Sequence, residues 1–497
     1  MSKLLPYLKK EFNLDRFLIL SLILVFLLRL PSLFEPYWYG DEGIYLTLGM
    51  AIRKGLVLYQ QIHDNKPPVL YLLAAIAGNV AWFRTILLIW MLGTTIIFCK
   101  LAQTILGDKN FWTKAATIFF IIFSSIPLIE GNIANAEIFM IGPTILAMWL
   151  MYQLLEKNNR YWLILSFLSG IFFSIAFLLK VPAVFDLASL VLFGLFNLTK
   201  KNYLKIIKIY VVLAVGFIMP VALSFIYFYF KGALSNYLFA AFLQNFGYVS
   251  SWQTGSMNSS GLTSKIGLMT RGGLVAVFFG FLFFFRQHFS KKEILIFLWF
   301  ALSLFGTLLS ERPYPHYLIQ VLPALALTVG LLCKKTNIFN RVVSFALIGS
   351  LALSIFLIHF WAYGVYGYYL NFINYSLKQE SRQSYFQYFG KLNNVYQVAE
   401  YLKDKTTDGQ KIFIWGDLPH LYALTRTLPP GRYTSTYHIV DFNGYKETLI
   451  ALENIKPRYI VIDNDEKRPF PEFETTILIN YTIEERYGDL IILHRTL

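Results

Sequence analysis

Adjacent carboxylates follow an aromatic cluster near the start of this sequence, in the run YWYGDE at residues 37–42. A carboxylate beside apolar segments is costly to desolvate, so Asp41 and Glu42 need a reason to be there. Lys66 follows, directly ahead of Pro67 and Pro68, and the prolines present its ammonium group from a stiff turn. The pattern indicates a general base at Asp41, with Glu42 and Lys66 as substrate contacts.

Asp41 and Lys66 also have simpler interpretations, which the sequence leaves open. Asp41 stands where it would cap the helix that follows, since acidic residues are common at helix starts. Lys66 would then be an interfacial lysine that contacts anionic lipid.

A second set of polar residues adjoins apolar runs further along the chain. Glu137 comes directly before one such run and must find a cation, a metal or a hydroxyl partner. Further candidate substrate contacts are predicted to lie on the same side of the apolar segments as Glu137. These are Lys180, Arg271, His316 and Tyr317.

Each of these later candidates has an alternative explanation. Lys180 and Asp186 would neutralise one another across a helix break at Pro182. Arg271 would only extend its charged end toward water, and His316 would be a structural histidine.

Composition places all these residues in a membrane protein. The chain has 497 residues, of which 56% are apolar and 15% are charged, and its mean hydropathy is +0.52. A soluble protein has about 25% charged residues. In a membrane protein, the basic residues behind the net charge of +15 indicate which loops stay in the cytoplasm. The charge therefore does not imply binding to nucleic acid. Cys99 and Cys333 provide no disulfide framework.

Apolar windows of spanning length predict about eleven transmembrane helices. They begin near Phe17, Ile86, Ala115, Ile138, Tyr161, Ala183, Ile209, Gly272, Ile294, Tyr317 and Val342.

A twelfth segment, Val69 to Phe83, is too short to span by the same measure. If it does not cross and the N-terminus is cytoplasmic, every strongly basic short loop lies inside, including those around Lys200 and Lys334. We therefore expect an interfacial or re-entrant helix there. The candidate residues and the first outer loop, residues 35–83, then face outward.

The tail changes character, because long apolar runs vanish and short β-rich runs alternate with helical patterns. KIFIW at 411–415, RYIVID at 458–463 and DLIILH at 489–494 predict strands. Residues 393–403 and 445–455 predict amphipathic helices. The expected organisation is a transmembrane domain, residues 1–362, and a small extracytoplasmic α/β domain with a partly parallel sheet, residues 363–497.

Familiar nucleotide and metal motifs are absent from the sequence. It has no Walker A loop, no dinucleotide fingerprint, no HExxH and no CxxC. A divalent cation such as Mg²⁺ or Mn²⁺ between Asp41 and Glu137 is one option, since two carboxylates suit a hard cation. No other cofactor is expected.

The combination resembles the GT-C glycosyltransferases. It consists of Asp41-Glu42 after the first helix, an interfacial helix, Lys66-Pro67-Pro68 and an outward Glu137 after the third crossing. The resemblance covers roughly residues 1–360 and is closest to the family 39-like group of protein O-mannosyltransferases and lipid A aminoarabinose transferases. Pro315-His316-Tyr317 is similar to a feature of its bacterial members.

The resemblance implies a plasma-membrane enzyme. It would transfer a glycosyl group, with inversion, from a polyprenyl-phosphate sugar to an extracytoplasmic protein, glycan or lipid. Asp41 would be the catalytic carboxylate, Glu137 the second acidic residue and Lys66 the contact to the donor phosphate. Relatives often have Asp followed by Pro where this chain has Glu137 followed by Ile138.

Two other functions are compatible with the sequence. A transporter or flippase of lipid-linked saccharides would use the charges as a path, although such proteins usually place polar groups near mid-membrane in both halves. Alternatively, the tail would be a binding module that uses Asp417, His420, His438 and Asp441, which we interpret as ordinary surface residues.

Overall fold

The computed structural model of the chain describes residues 15–108, 110–156, 161–245, 261–334, 337–390 and 392–496. The chain forms two compact units. Unit 1 comprises Met1–Leu30, Leu87–Ile226 and Asn245–Val365. Unit 2 comprises Pro31–Ile86, Tyr227–Gln244 and Tyr366–Leu497. The first outer loop therefore belongs to the same compact unit as the tail, while the predicted division at residues 362 and 363 stays a prediction.

Helices dominate the described residues, and the strands are confined to the tail. The helices are α1 (Arg16–Arg29), α2 (Gly40–Arg53), α3 (Val69–Ala77), α4 (Val80–Leu106), α5 (Phe111–Phe123), α6 (Ala136–Glu156), α7 (Trp162–Leu179), α8 (Ala183–Phe196), α9 (Tyr203–Phe230), α10 (Leu234–Leu238), α11 (Gly261–Phe284), α12 (Lys291–Thr307), α13 (Leu322–Cys333), α14 (Ile338–Ile358), α15 (Val365–Ser376), α16 (Arg382–Gln387), α17 (Leu392–Lys403), α18 (Pro419–Thr425), α19 (Thr436–Asp441) and α20 (Tyr445–Ile455). The strands are β1 (Phe413–Trp415), β2 (Tyr459–Asp463), β3 (Tyr481–Tyr487) and β4 (Leu490–Arg495).

Within the described ranges, seven helices are long and apolar enough to cross a membrane. They are α1 with its following turn, α4, α6, α7, α9, α11 and α14. The windows near Ala115, Ala183 and Tyr317 hold the shorter apolar helices α5, α8 and α13, and the window near Ile294 holds α12, of 17 residues. The chain is thus a multi-pass membrane protein, and the number of eleven crossings stays a prediction.

The segment from Val69 to Phe83 does not form one helix. Its first part is α3, which has nine residues and ends at Gly78, where the backbone turns into the left-handed region with φ of 75°. Its last part begins α4 at Val80, ahead of the expected start near Ile86. A nine-residue helix such as α3 extends about 14 Å, less than half of the thickness of a bilayer core. The helix lengths therefore agree with a segment that does not cross, and its interfacial position stays a prediction.

Glycines bring α7 and α9 of unit 1 into close contact. A Cβ atom at Gly170 would lie 2.1 Å from the carbonyl oxygen of Leu213, and one at Gly216 would lie 2.2 Å from that of Phe167. Small residues allow such close approach of helices in membranes, where packing drives association.

The tail carries a four-stranded sheet in the order β1-β2-β4-β3. β1 pairs with β2 in parallel, whereas β2 with β4 and β4 with β3 are antiparallel, so the sheet is partly parallel as expected. Three strands and two helices, α17 and α20, lie where the sequence predicts them. Strand β3 was not predicted, because it lies at a sheet edge with mostly exposed side chains and lacks an apolar alternation.

Within unit 2, α2 packs closely against helices on two sides. A Cβ atom at Gly43 would lie 2.5 Å from the backbone nitrogen of His420 in α18, and one at Gly49 would lie 2.5 Å from that of Ala75 in α3. The hydroxyl of Thr47 donates to the carbonyl oxygen of Pro419 at 3.1 Å. The helix that carries Asp41 is therefore fixed by the tail.

This packing predicts different effects for two glycines on the same helix. Gly43→Ala forces its methyl group against backbone atoms of α18, so we expect a loss of about 1–3 kcal/mol of stability. Gly40→Ala is the matched control, because a Cβ atom at Gly40 meets nothing within 4 Å. Melting temperatures of the purified proteins in detergent test this, and equal values for the two variants would contradict the close packing.

Candidate functional site

Asp41 and Lys66 lie together in unit 2, as the sequence predicts. The Lys66 ammonium nitrogen is 3.6 Å from Oδ2 of Asp41, which also accepts a hydrogen bond from the Tyr45 hydroxyl at 2.7 Å. The same ammonium group lies over the Tyr45 ring, 5.0 Å from its centroid. Side-chain exposure of 18% for Lys66 and 27% for Asp41 leaves both groups accessible to a substrate.

Tyrosine hydroxyls hold the backbone of Lys66 on both sides. Tyr59 donates to the Lys66 carbonyl oxygen at 2.8 Å, and the Lys66 amide donates to the Tyr71 hydroxyl at 3.1 Å. Burial raises the pKa of both tyrosines well above the usual value, so both hydroxyl groups stay protonated. The lysine is therefore presented from a rigid turn.

A second carboxylate, Asp64, lies on the other side of the Lys66 ammonium group. Its Oδ2 atom is 3.7 Å from the ammonium nitrogen and accepts a hydrogen bond from Tyr71 at 2.8 Å. Its side chain is only 1% exposed. Sequence reasoning assigned it no role, although it stands two residues before Lys66.

The Glu42 side chain belongs to a buried ion network around Arg84 and does not point toward Lys66, the partner of Asp41. Arg84 binds its carboxylate with two hydrogen bonds, Nε to Oε1 at 3.0 Å and Nη2 to Oε2 at 2.5 Å. Nη1 of Arg84 is also 3.2 Å from Oε2 of Glu35, and the other oxygen of that carboxylate, Oε1, accepts a hydrogen bond from the Tyr368 hydroxyl. Removal of one partner from such a buried network costs about 3–5 kcal/mol. This arrangement supports a structural role for Glu42.

The alternative that Asp41 caps α2 is wrong. The N-cap residue is Tyr39, which makes no side-chain capping bond, and Asp41 lies inside the first turn. There its negative charge still interacts favourably with the helix dipole, but its oxygen faces Tyr45 and Lys66.

A second polar cluster lies in unit 1, around Glu137. The Lys180 ammonium group donates to Oε1 of Glu137, and Nε2 of His316 is 3.5 Å from the same oxygen. Nδ1 of His316 contacts the Glu130 carboxylate, which also accepts from the Asn135 amide at 3.3 Å. Three predicted residues thus meet at one place, together with Glu130, whose role the sequence did not indicate.

Charge and aromatic contacts complete this cluster. Burial lowers the pKa of His316, but the neighbouring Glu137 and Glu130 carboxylates outweigh burial and raise that pKa above its usual value. The Lys180 ammonium group lies 3.8 Å from the centroid of the Tyr317 ring, a cation–π contact. Tyr317 is therefore part of the cluster, as predicted.

Three elements position these side chains. Glu137 is in the first turn of α6, Lys180 ends α7 with an extended backbone just before Pro182, and His316 lies in the short turn Pro315–Ile319. Proline interrupts the helical backbone near Lys180 and His316, which places both polar side chains at helix ends.

Neutralisation between Lys180 and Asp186 does not occur. Asp186 accepts hydrogen bonds from Trp299 Nε1 at 2.6 Å and from Gln320 Nε2 at 2.8 Å, and Lys180 pairs with Glu137. The helix break at Pro182 was predicted correctly, but the partners lie on other helices.

Arg271 is held by protein partners. Its guanidinium group donates to the Glu311 carboxylate and to the Leu308 carbonyl oxygen. Its side chain is 20% exposed. Arg271 therefore has a fixed position near Glu311, and its contact with a substrate stays a prediction.

The interpretation of the tail histidines as surface residues is wrong. His420 is 4% and His438 2% exposed, whereas Asp417 and Asp441 are on the surface. Burial lowers the pKa of both histidines, to about 4 for His420, so both rings are neutral at pH 7. Burial is hidden from the sequence because the segments around these histidines lack a long apolar run.

The two clusters offer different chemistry. In unit 2 the partly exposed Asp41 carboxylate lies beside the Lys66 ammonium group, an arrangement that suits proton transfer next to a bound anion. In unit 1 Glu137 is already paired with two basic side chains. Among the described residues, no group of three or more His, Cys, Asp or Glu side chains has the arrangement of a metal site. A divalent ion at either carboxylate would have to compete with the ammonium group beside it, Lys66 for Asp41 and Lys180 for Glu137.

Comparison with known proteins identifies the architecture. No protein-family model matches the sequence, and no curated protein matches it closely enough to be a relative. The structure is similar to that of ArnT from Cupriavidus metallidurans bound to undecaprenyl phosphate, with a TM-score of 0.56 and 13% identity over 96% of this chain and 97% of that chain. ArnT is a lipid A aminoarabinose transferase with the GT-C fold.

The chain has the GT-C fold. A further similar structure is the archaeal oligosaccharyltransferase AglB from Archaeoglobus fulgidus, in complex with an inhibitory peptide and a dolichol-phosphate. It has a TM-score of 0.47 and 11% identity over 92% of this chain and 69% of that chain. The apo form of the oligosaccharyltransferase from the same organism gives a TM-score of 0.46. The resemblance noted in the sequence is confirmed at the level of the fold.

The buried neutral histidines predict that this GT-C protein loses stability in acid. The pKa of His420 falls from 6.5 to about 4 on folding, so the unfolded chain binds more protons between these values. Stability is therefore complete above pH 6.5 and decreases as the pH falls toward 4, by about 2 kcal/mol at pH 5 for this group. Burial, with the charges of His438 and Arg432, similarly lowers the pKa of His63 to about 3.

Melting temperatures at about pH 7.5 and about pH 5 measure this effect. We expect a smaller difference for His420→Leu than for the wild type, and an unchanged difference for His494→Phe, whose ring is only partly buried. An identical pH dependence of wild type and His420→Leu would contradict the assignment.

Proposed function

We propose that this protein is an inverting glycosyltransferase that uses a polyprenyl-phosphate sugar as donor and an extracytoplasmic protein, glycan or lipid as acceptor. The proposal rests on the distance of 3.6 Å between the partly exposed Asp41 carboxylate and the Lys66 ammonium group, which is held in a rigid turn. The GT-C fold supports it, since the similar ArnT structure is bound to undecaprenyl phosphate.

Asp41 has the properties of a general base. An acceptor hydroxyl needs a base within hydrogen-bond reach when it attacks the anomeric carbon. In the proposed step the hydroxyl oxygen bonds to that carbon from the face opposite the phosphate, the carbon–phosphate oxygen bond breaks, and the proton passes to Asp41. The polyprenyl phosphate leaves with the electron pair, and the anomeric configuration is inverted.

Lys66 has the properties of a leaving-group stabiliser. A phosphate is already a good leaving group and needs charge stabilisation more than a proton. The ammonium group is preorganised by Tyr59 and Tyr71, so it would bind the phosphate without further reorganisation. Its position between two carboxylates keeps it charged and oriented before the donor arrives.

The Glu137 cluster would serve the second acidic position. Glu137, the second proposed catalytic carboxylate, is held by Lys180 and His316, and the proposal assigns Lys180, His316 and Tyr317 to substrate binding. Arg271 would add a further cation for anionic parts of the substrates.

The proposed location follows from the charge distribution of the sequence. The chain would lie in the plasma membrane with its N-terminus in the cytoplasm and both the first outer loop and the tail outside. The lipid-linked donor would then be in the outer leaflet, where it reaches Asp41 and Lys66.

The central prediction concerns the base. Asp41→Asn keeps the size of the side chain but removes the proton acceptor, so we expect kcat to fall by about 10²- to 10⁴-fold. The assay follows transfer from a panel of polyprenyl-phosphate sugars in proteoliposomes. Asp408→Asn is the matched control, because Asp408 is an exposed carboxylate that pairs with Lys54 at 2.7 Å.

Wild-type turnover by Asp41→Asn would remove this residue from the mechanism. Transport of labelled lipid-linked saccharide across the bilayer, with no transfer by the wild type, would instead establish the flippase alternative.

A separate experiment addresses the divalent ion. Because each candidate carboxylate has an ammonium group beside it, we expect transfer activity to survive chelation by EDTA. Loss of activity that Mg²⁺ or Mn²⁺ restores would instead show that transfer requires a divalent ion.

A further inference from the structure

Asp64 is a buried carboxylate that the proposed reaction does not use directly. Its Oδ2 atom accepts from Tyr71 and faces the Lys66 ammonium group at 3.7 Å. Its Oδ1 atom accepts from the backbone amide of Asn65 at 2.7 Å. A buried carboxylate is costly unless its oxygen atoms are satisfied, so its neighbours determine its orientation.

A residue of the tail supplies another neighbour. Nε2 of His438, in α19, lies 3.5 Å from Oδ1 of Asp64. The His438 ring stacks on Phe442, with ring centroids 5.2 Å apart and planes at 26°, which fixes its direction. The other charged or titratable groups that face this histidine are Lys66, Asp41, Asp417 and His63.

We propose that His438 is a positioning residue that acts through Asp64 to hold the Lys66 ammonium group beside Asp41, where it binds the donor phosphate. This inference rests on the proposed function. It assigns the tail a direct part in the site: one of its histidines completes the chain of contacts from α19 through Asp64 to Lys66.

The argument depends on competition for the ammonium group. Lys66 is almost equidistant from Asp41 and Asp64, at 3.6 Å and 3.7 Å. Burial lowers the pKa of His438, so its ring is neutral and can donate from Nε2 to Asp64. With this donor in place, part of the Asp64 charge is directed away from the lysine.

Without His438, Oδ1 of Asp64 would lose a donor, and more of the carboxylate charge would act on Lys66. A close ion pair between the two would draw the ammonium group from Asp41 and reduce its attraction for a phosphate. Loss of His438 should therefore weaken phosphate binding through Lys66, and only through Lys66.

A double-mutant cycle with undecaprenyl phosphate as the probe tests this coupling. The purified full chain in nanodiscs is titrated with the lipid, and Kd is measured for the wild type, His438→Phe, Lys66→Met and the double variant. We expect His438→Phe to raise Kd by about tenfold in the wild type and by less than about twofold in the Lys66→Met background. His438→Gln, whose amide nitrogen replaces Nε2, should restore most of the affinity.

A control and the fold of each variant separate positioning from general damage. His494→Phe changes a histidine of the same sheet-bearing tail that faces Arg458 and Tyr459, so its Kd should equal that of the wild type. Melting temperatures verify that the variants compared are folded.

Three outcomes overturn the inference, and those that spare the proposed function are distinguishable from the one that does not. If Lys66→Met weakens binding but His438→Phe does not, or if His438→Phe acts equally in both backgrounds, the proposed function stands and the role of His438 is wrong. If Lys66→Met leaves binding of undecaprenyl phosphate unchanged, the proposed function fails, and the positioning role fails with it.

Discussion

The cost of removing charge from water determines how the polar residues of this protein are arranged. In unit 2 the Lys66 ammonium group lies between the carboxylates of Asp41 and Asp64, and Arg84 lies between those of Glu42 and Glu35. In unit 1 the Glu137 carboxylate is likewise paired with basic groups, those of Lys180 and His316. Because every charge in these groups has an opposite neighbour, the side chains are oriented before any substrate is present.

Much of the fold could be predicted because its signals are local. Apolar windows located the long helices, and β-rich runs located three of the four strands, since both depend on neighbouring residues in the sequence. The exact helix limits escaped prediction where one residue changes the backbone, as at Gly78, or where an apolar window contains a shorter helix, as near Ala115. The edge strand β3 was missed because half-exposed strands have no clear apolar pattern.

The candidate site was predictable in its residue types and in the proximity of Asp41 and Lys66, but not in its other pairings. Asp41, Lys66 and Glu137 were identified because charges next to apolar segments are unusual and need partners. The partners come from distant parts of the chain, as with Lys180 for Glu137 and His438 for Asp64, and no local pattern encodes such contacts. The same limitation explains why Lys180 was matched with nearby Asp186 and why the tail histidines were taken for surface residues.

The contact between Gly43 and the backbone of His420 also bears on how this chain could be divided or recombined. The helix that carries Asp41 and Glu42 buries one side against the tail, and Gly43 has no Cβ atom to separate the two backbones. A chimera that exchanged only the C-terminal segment for that of another protein would leave this helix against a surface of the wrong shape. An exchange of the C-terminal segment would therefore have to transfer the first outer loop with it as a single cassette.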